Sequence, residues 1–217
     1  MSLLQPERNA RRCLVKSRIL RPRSETALRV ENSSLMPIYI SMLRGINVGG
    51  HKRIKMDQLR QSFEVLGFNQ VRTYIQSGNV VFKTGKSSTS KLSKRIEERI
   101  LNDFGFSVSV ISRTADEMET TIANNPFLKE SGIDPEKLHV MFLSDAPPPT
   151  ALKKLADLTA SPNQCRCFDR GIYFYLPNGV SNSVLMKSPV DRILSVVTTT
   201  RNWRTVNTVH QMCRDCR

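Results

Sequence analysis

Ile38-Tyr39-Ile40-Ser41-Met42-Leu43 is a short apolar run with β-branched and aromatic members, the pattern of a mostly buried strand. A glycine-bearing loop, Arg44 to Lys55, follows it. Met56, Leu59, Phe63 and Leu66 then recur at three- and four-residue spacing, which predicts a helix stopped by Gly67. Val71, Thr73 and Ile75 alternate as a strand, Gln76-Ser77-Gly78-Asn79 supplies turn residues, and Val80, Val81 and Phe82 return as the hairpin partner. Leu92, Ile96, Ile100 and Phe104 form a second helical stripe ended near Gly105, and Val108 with Val110 makes a fourth strand. The order β-α-β-β-α-β is the split βαβ pattern of the ferredoxin-like fold.

The remaining half repeats this order. Thr114-Ala115-Asp116-Glu117 is a capping box opening a linking helix that ends at Asn125-Pro126. Leu138, Val140 and Phe142 alternate as a strand, and Pro147 to Pro149 lead into a short helix marked by Leu152, Leu155 and Leu158. Cys165 and Cys167 alternate with Arg166 and Phe168, after which Asp169-Arg170-Gly171 turns the chain into Ile172 to Leu176. Ser188-Pro189 starts a helix, Thr198 to Thr200 suit a short strand, and Trp203, Val206, His210 and Cys213 share one face of a last helix. The chain therefore reads as α+β: two tandem ferredoxin-like (βαββαβ) units with an extra linking helix and a C-terminal helix. The first unit covers residues 36–113; the linking helix and second unit cover 114–217.

Charge changes the picture by halves. The chain carries 33 Lys and Arg against 19 Asp and Glu, a formal charge of +14. Residues 36–113 hold +8 and residues 114–217 only +1, so an anionic partner should meet the first unit. Residues 1–35 hold eight cations against three glutamates, with no apolar stretch of the kind a secretory signal needs. That leader is expected to be disordered or non-native, with Met36 opening the patterned region; an organelle-type presequence is disfavoured by the glutamates. No apolar run is long enough for a membrane-spanning helix, and no membrane partner is expected. The odd count of five cysteines and the missing signal point to reduced thiols in the cytoplasm.

Candidate chemistry concentrates at one end of the first unit. Because the third strand of this topology pairs beside the first, the loop Arg44 to Lys55 and the turn Gln76 to Asn79 should be spatial neighbours. Arg44, Asn47, Gly49, Gly50, Lys52 and Arg53 combine permissive backbone, an amide and cations just before a helix N-terminus, which are the groups a phosphate needs. The spacing matches neither the dinucleotide fingerprint nor a P-loop; Gly85-Lys86-Ser87 fails because Val80 stands where the P-loop needs glycine. A solvated loop is the alternative. Ser77, Gly78 and Asn79 either line the same edge or simply build the hairpin. Arg201, Asn202 and Trp203 either approach the ligand from the second unit or serve the fold, Trp203 packing between the units and Asn202 capping the final helix.

Other constellations are thinner. Cys165, Cys167, Cys213 and Cys216, with His210 as a substitute, could make a zinc site, but the spacing is not a standard zinc pattern; no metal or cofactor is expected. There is no nucleophile elbow and no H-E-x-x-H, and the pairs Glu97-Glu98 and Asp116-Glu117 read as solvated helix faces.

Leu43 to Gly50, continued by Met56, Leu59, Gly67 and Thr73 to Phe82, closely resembles the bacterial domain of unknown function 1697 family. Thr200-Arg201-Asn202-Trp203-Arg204-Thr205-Val206 looks like that family's C-terminal signature. The resemblance implies a two-lobed α+β bacterial protein and supplies no activity, cofactor or catalytic residue. Ser183-Val184-Leu185, where members often carry Ser-Lys-Leu, and the end Cys213 to Arg217 depart from it. The expectation is a binding protein presenting a cationic edge to nucleic acid or another phosphate-bearing ligand. The rival is an enzyme acting on a small phosphorylated or nucleotide-like substrate between the lobes, with Ser77, Asn79, Arg201 and His51 contributing. Oligomeric state is left open.

Overall fold

The computed structural model describes residues 36–159, 161–183 and 188–217. The basic leader 1–35 and the Val184-Leu185 departure lie outside these described residues. The fold is mixed α+β, with two four-stranded antiparallel sheets and six α-helices among the described residues. The first half runs β1 (Ile38–Leu43), α1 (Met56–Val65), β2 (Asn69–Tyr74), β3 (Asn79–Lys83), α2 (Thr89–Phe104), β4 (Val110–Thr114) and α3 (Ala115–Ala123). The second runs β5 (Leu138–Leu143), α4 (Pro149–Asp157), β6 (Gln164–Phe168), β7 (Gly171–Tyr175), α5 (Val190–Leu194), β8 (Thr198–Asn202) and α6 (Trp203–Arg214). Strand orders are β2-β3-β1-β4 and β6-β7-β5-β8.

Local chemistry sets the element ends. Gly105 closes α2 in the left-handed region, φ 73°, and its N–H reaches Leu101 O. Thr114 and Glu117 form both bonds of the capping box at the start of α3. Asn202 caps α6 by accepting the Thr205 N–H at 2.8 Å. The boundaries of β2 and β4 differ from the apolar pattern. Ile75 is half-exposed at φ 49° and belongs to the turn, not to β2. Val108 is buried in the core but precedes β4, which begins at Val110.

Alternation along the two central strands explains how the halves join. Ile38, Ile40 and Met42 of β1 share one core with Leu138, Val140 and Phe142 of β5. Trp203, Val206 and Val209 of α6 and Met118 of α3 fill the same core, and α6 packs on β1 and β3 as well as β5 and β8. The opposite faces serve separate cores: Tyr39 and Leu43 meet α1 and α2 side chains, and Met141 and Leu143 meet those of α4 and α5. Each fully buried Phe, Leu or Val contributes about 1.5–3 kcal/mol, so the shared layer binds the halves firmly.

The repeat extends to register. Arg113 of β4 pairs with Ile40 of β1, and Arg201 of β8 pairs with Val140 of β5, the third residue of its strand in each case. Each of β4 and β8 runs straight into a capped helix, which makes α3 the counterpart of α6.

Candidate functional site

The loop after β1 is pinned from within. Ile46 and Ile54 are buried, and Asn47 ties the loop's two arms together. Asn47 Nδ2 donates to Ile54 O at 3.0 Å and to Gln76 O at 2.8 Å, while its Oδ1 accepts the Ile54 N–H at 2.9 Å. Asn47 does this at φ 56°, a conformation that asparagine tolerates better than most residues. The β2–β3 turn locks onto this loop: Gly78 O accepts the Leu43 N–H at 2.9 Å. Only glycine fits there, because at φ 73° a Cβ would stand 2.7 Å from Ile46 Cδ1 and 2.9 Å from Leu43 Cβ.

Above this base the loop is open to solvent. Gly49, Gly50, His51, Lys52, Arg53 and Lys55 are exposed, together with Val48, which is 66% exposed. Lys52 Nζ donates to Ser107 O at 2.7 Å, and Arg44 forms an ion pair with Asp191 of α5. The N-terminus of α1 begins beside Lys55 with no side-chain cap. A depression of about 540 Å³ beside the loop is lined by Arg44, Lys52, Ser107 and Ser109, with Glu97 and Glu98 on its helical wall.

The segment from the second half is committed to holding the molecule together. Arg201 is 8% exposed and uses all five of its N–H donors. Nε donates to Asn79 Oδ1 at 2.6 Å, Nη1 to Thr199 Oγ1 and Thr200 O at 2.8 and 2.9 Å, and Nη2 to Leu43 O and Ser77 O at 2.8 and 3.0 Å. Burial pushes its guanidinium down to about 10, which leaves it charged at neutral pH. Asn79 completes the network by donating to Tyr74 O and Ser77 Oγ. Asn202 is the α6 cap and Trp203 is buried in the shared core. The fold thus gathers Arg44, Ser77 and Arg201 along one groove of about 690 Å³ between the halves. Asn47, Asn79 and Asn202 spend their side chains on bonds within the protein and Trp203 is buried, while Lys52 and Arg53 stand on the loop exterior.

Sequence reasoning missed Arg113, Arg170 and Asp191. A signal for the first was present, since Ser112-Arg113-Thr114 and Thr200-Arg201-Asn202 occupy the same strand-to-helix junction of the repeat. Arg113 is 4% exposed and reaches across to Leu143 O at 2.5 Å and Arg170 O at 3.1 Å, just as Arg201 reaches Leu43 O and Ser77 O. The Glu97 carboxylate, read as solvated, accepts the Val110 N–H at 2.8 Å and so caps the start of β4. The zinc reading finds no support: no three His, Cys, Asp or Glu side chains among the described residues come together to hold a metal. Cys213 and Cys216 lie in the shared core, and Cys167 is exposed on β6.

Residues 36–173 match the model of the family described as Protein of unknown function (DUF1697), and the chain belongs to that family. A solved structure described as conserved bacterial protein SP0830 from Streptococcus pneumoniae shares the fold with a TM-score of 0.67 at 24% identity. The alignment covers 82% of this chain and 99% of that one. No curated protein matches the chain.

Proposed function

We propose that this protein binds a phosphate-bearing ligand, nucleic acid in the first instance, on the cationic rim formed by the Arg44 to Lys55 loop. The reading takes the two halves as tandem ferredoxin-like units, residues 36–113 and 114–217, which the repeated element order and the matching strand orders support. The observation that carries it is the Asn47 brace. It holds the loop in one shape while Lys52, Arg53 and Lys55 face solvent beside the uncapped start of α1, so the cations are placed before a ligand arrives. Arg44, Gly49 and Gly50 extend this surface, and Ser77, Gly78 and Asn79 support it from below. Arg201, Asn202 and Trp203 act on it indirectly, by holding the second half against its base.

The test is fluorescence anisotropy with a labelled single-stranded RNA or DNA. Affinity should fall steeply between about 50 and 200 mM salt, with a log–log slope of about −2 for three phosphate contacts. Arg53→Ala with Lys55→Ala should remove most of the binding and leave thermal stability unchanged. Absence of binding at the lowest salt would refute the reading.

The second reading, an enzyme acting on a small phosphorylated or nucleotide-like substrate, is favoured by the groove of about 690 Å³, where Arg44 and Ser77 of one half face Asp191 and Thr199 of the other. Thermal-shift screening against phosphorylated metabolites separates the two: hits without nucleic-acid binding would favour the enzyme.

A further inference from the structure

The internal repeat generates a second inter-half pocket, smaller than the first. Where the larger groove is built from β8 and α5 of the second half plus Arg44 and Ser77 of the first, the roles reverse around Arg113. There β4 and α2 of the first half meet Ser144, just after β5, and Arg170, in the β6–β7 turn. These are the repeat counterparts of Arg44 and the β2–β3 turn: Leu43 and Leu143 bond back to their hairpins, and Arg44 and Ser144 to the residues before β4 and β8.

We propose that this pocket binds a compact tetrahedral oxyanion, the phosphate group of a small ligand, between Lys94, Arg113 and Arg170. Its volume is about 200 Å³, far more than one water needs and too little for a macromolecular segment. The three cations converge on it from α2, β4 and the opposite half, and the hydroxyls of Ser90, Ser93 and Ser144 line the same space. Ser90 stands in the first turn of the sixteen-residue α2, whose N-terminal dipole adds to the positive field.

The charge balance supports an anion. Arg113 donates hydrogen bonds to carbonyl oxygens alone, those of Ser112, Leu143 and Arg170, and lies over the Phe142 ring, so no carboxylate is hydrogen-bonded to it. Burial first, and the charge of Arg170 second, lower Arg113 to about 10, which still leaves it charged at neutral pH. Arg170 is paired with Glu117, and Glu97 also lines the pocket with one oxygen held by the Val110 N–H. Lys94, Arg113 and Arg170 outnumber Glu97, the one carboxylate that lines the pocket, while Glu117 and Asp169 act on Arg113 from outside it. Lys94 is exposed and makes no hydrogen bond or ion pair with the other described residues, so it can move onto a ligand without breaking anything.

Isothermal titration with inorganic phosphate and pyrophosphate tests the site. Lys94→Gln should weaken the binding about tenfold, the loss expected for one charge-assisted contact, and Arg60→Met, which breaks only an exposed pair with Glu64 outside both sites, should leave it unchanged. Arg113→Met is expected to damage the fold and is no substitute for Lys94→Gln, whose unchanged melting temperature reports an intact protein. No binding of either anion at millimolar concentration, wild-type affinity in Lys94→Gln, or an equal loss of binding in Arg60→Met would each overturn the proposal.

Discussion

Arg201→Met removes a side chain that bridges β8, the end of β1 and the β2–β3 turn. It leaves five acceptors without their donor: Asn79 Oδ1, Thr199 Oγ1, Thr200 O, Leu43 O and Ser77 O. A buried acceptor stripped of its partner costs about 1–3 kcal/mol, but these five will not add. Water can enter from the groove that Arg201 lines, and the desolvation cost of the guanidinium is recovered. Breaking such a buried charged network typically costs about 3–5 kcal/mol. That is a large share of the roughly 5–15 kcal/mol that holds an ordinary domain together, and it corresponds to a fall in Tm of about 6–20 °C for a chain of this size. Urea denaturation followed by the fluorescence of Trp203, the single tryptophan and a member of the core shared by both halves, measures it directly. Arg201→Lys should recover little, because three rotatable donors cannot serve five fixed acceptors. Arg60→Met, which breaks only an exposed pair with Glu64, is the control and should cost less than about 0.5 kcal/mol. A loss below about 1 kcal/mol in Arg201→Met would refute the claim that this residue clamps the halves.

Gly78→Ala should destabilise by about 2–4 kcal/mol, since it combines a left-handed backbone with a Cβ inside the contact distance of Ile46 and Leu43; thermal denaturation reads the loss. Stability should decrease as pH falls from about 8 to 5, with His139 as one source. Burial lowers His139 below its ordinary value of 6.5, so the unfolded chain takes up the proton first and the folded state loses ground below that value. His139→Gln should flatten part of this slope in urea midpoints measured across the range, His210 keeping the remainder because burial lowers it too. Maleimide labelling with peptide mapping should modify Cys167 first among the cysteines of the described residues. Cys213, buried and pushed up to about 12 by that burial and by Cys216, should react only on unfolding.

How far the chain could be read depended on the range of the interactions involved. The Thr114 capping box, the left-handed Gly105 and the Asn202 cap are bonds among residues at most four apart, so their residue types announce them. The neighbouring positions of the Arg44 loop and the Gly78 turn were legible one step further on, through strand order. The fate of Arg201 was not. Its partners Leu43, Ser77 and Asn79 lie more than 120 positions away, and an arginine at a strand end looks the same whether it awaits a ligand or already spends every donor inside the protein. The same holds for Glu97, whose place on an outward-looking helix face concealed a bond to the Val110 amide.

Residue order alone settled the secondary elements, their caps and the repeated α+β plan, because periodicity and turn chemistry act within a few residues. Packing settled the rest: that two sheets share a single core, that the conspicuous Arg-Asn-Trp segment serves cohesion, and that Lys94, Arg113 and Arg170 meet in a pocket no local pattern marks. How many donors a cation already spends inside the protein separates a structural role from a ligand-facing one, and that count exists only once distant parts of the chain have come together.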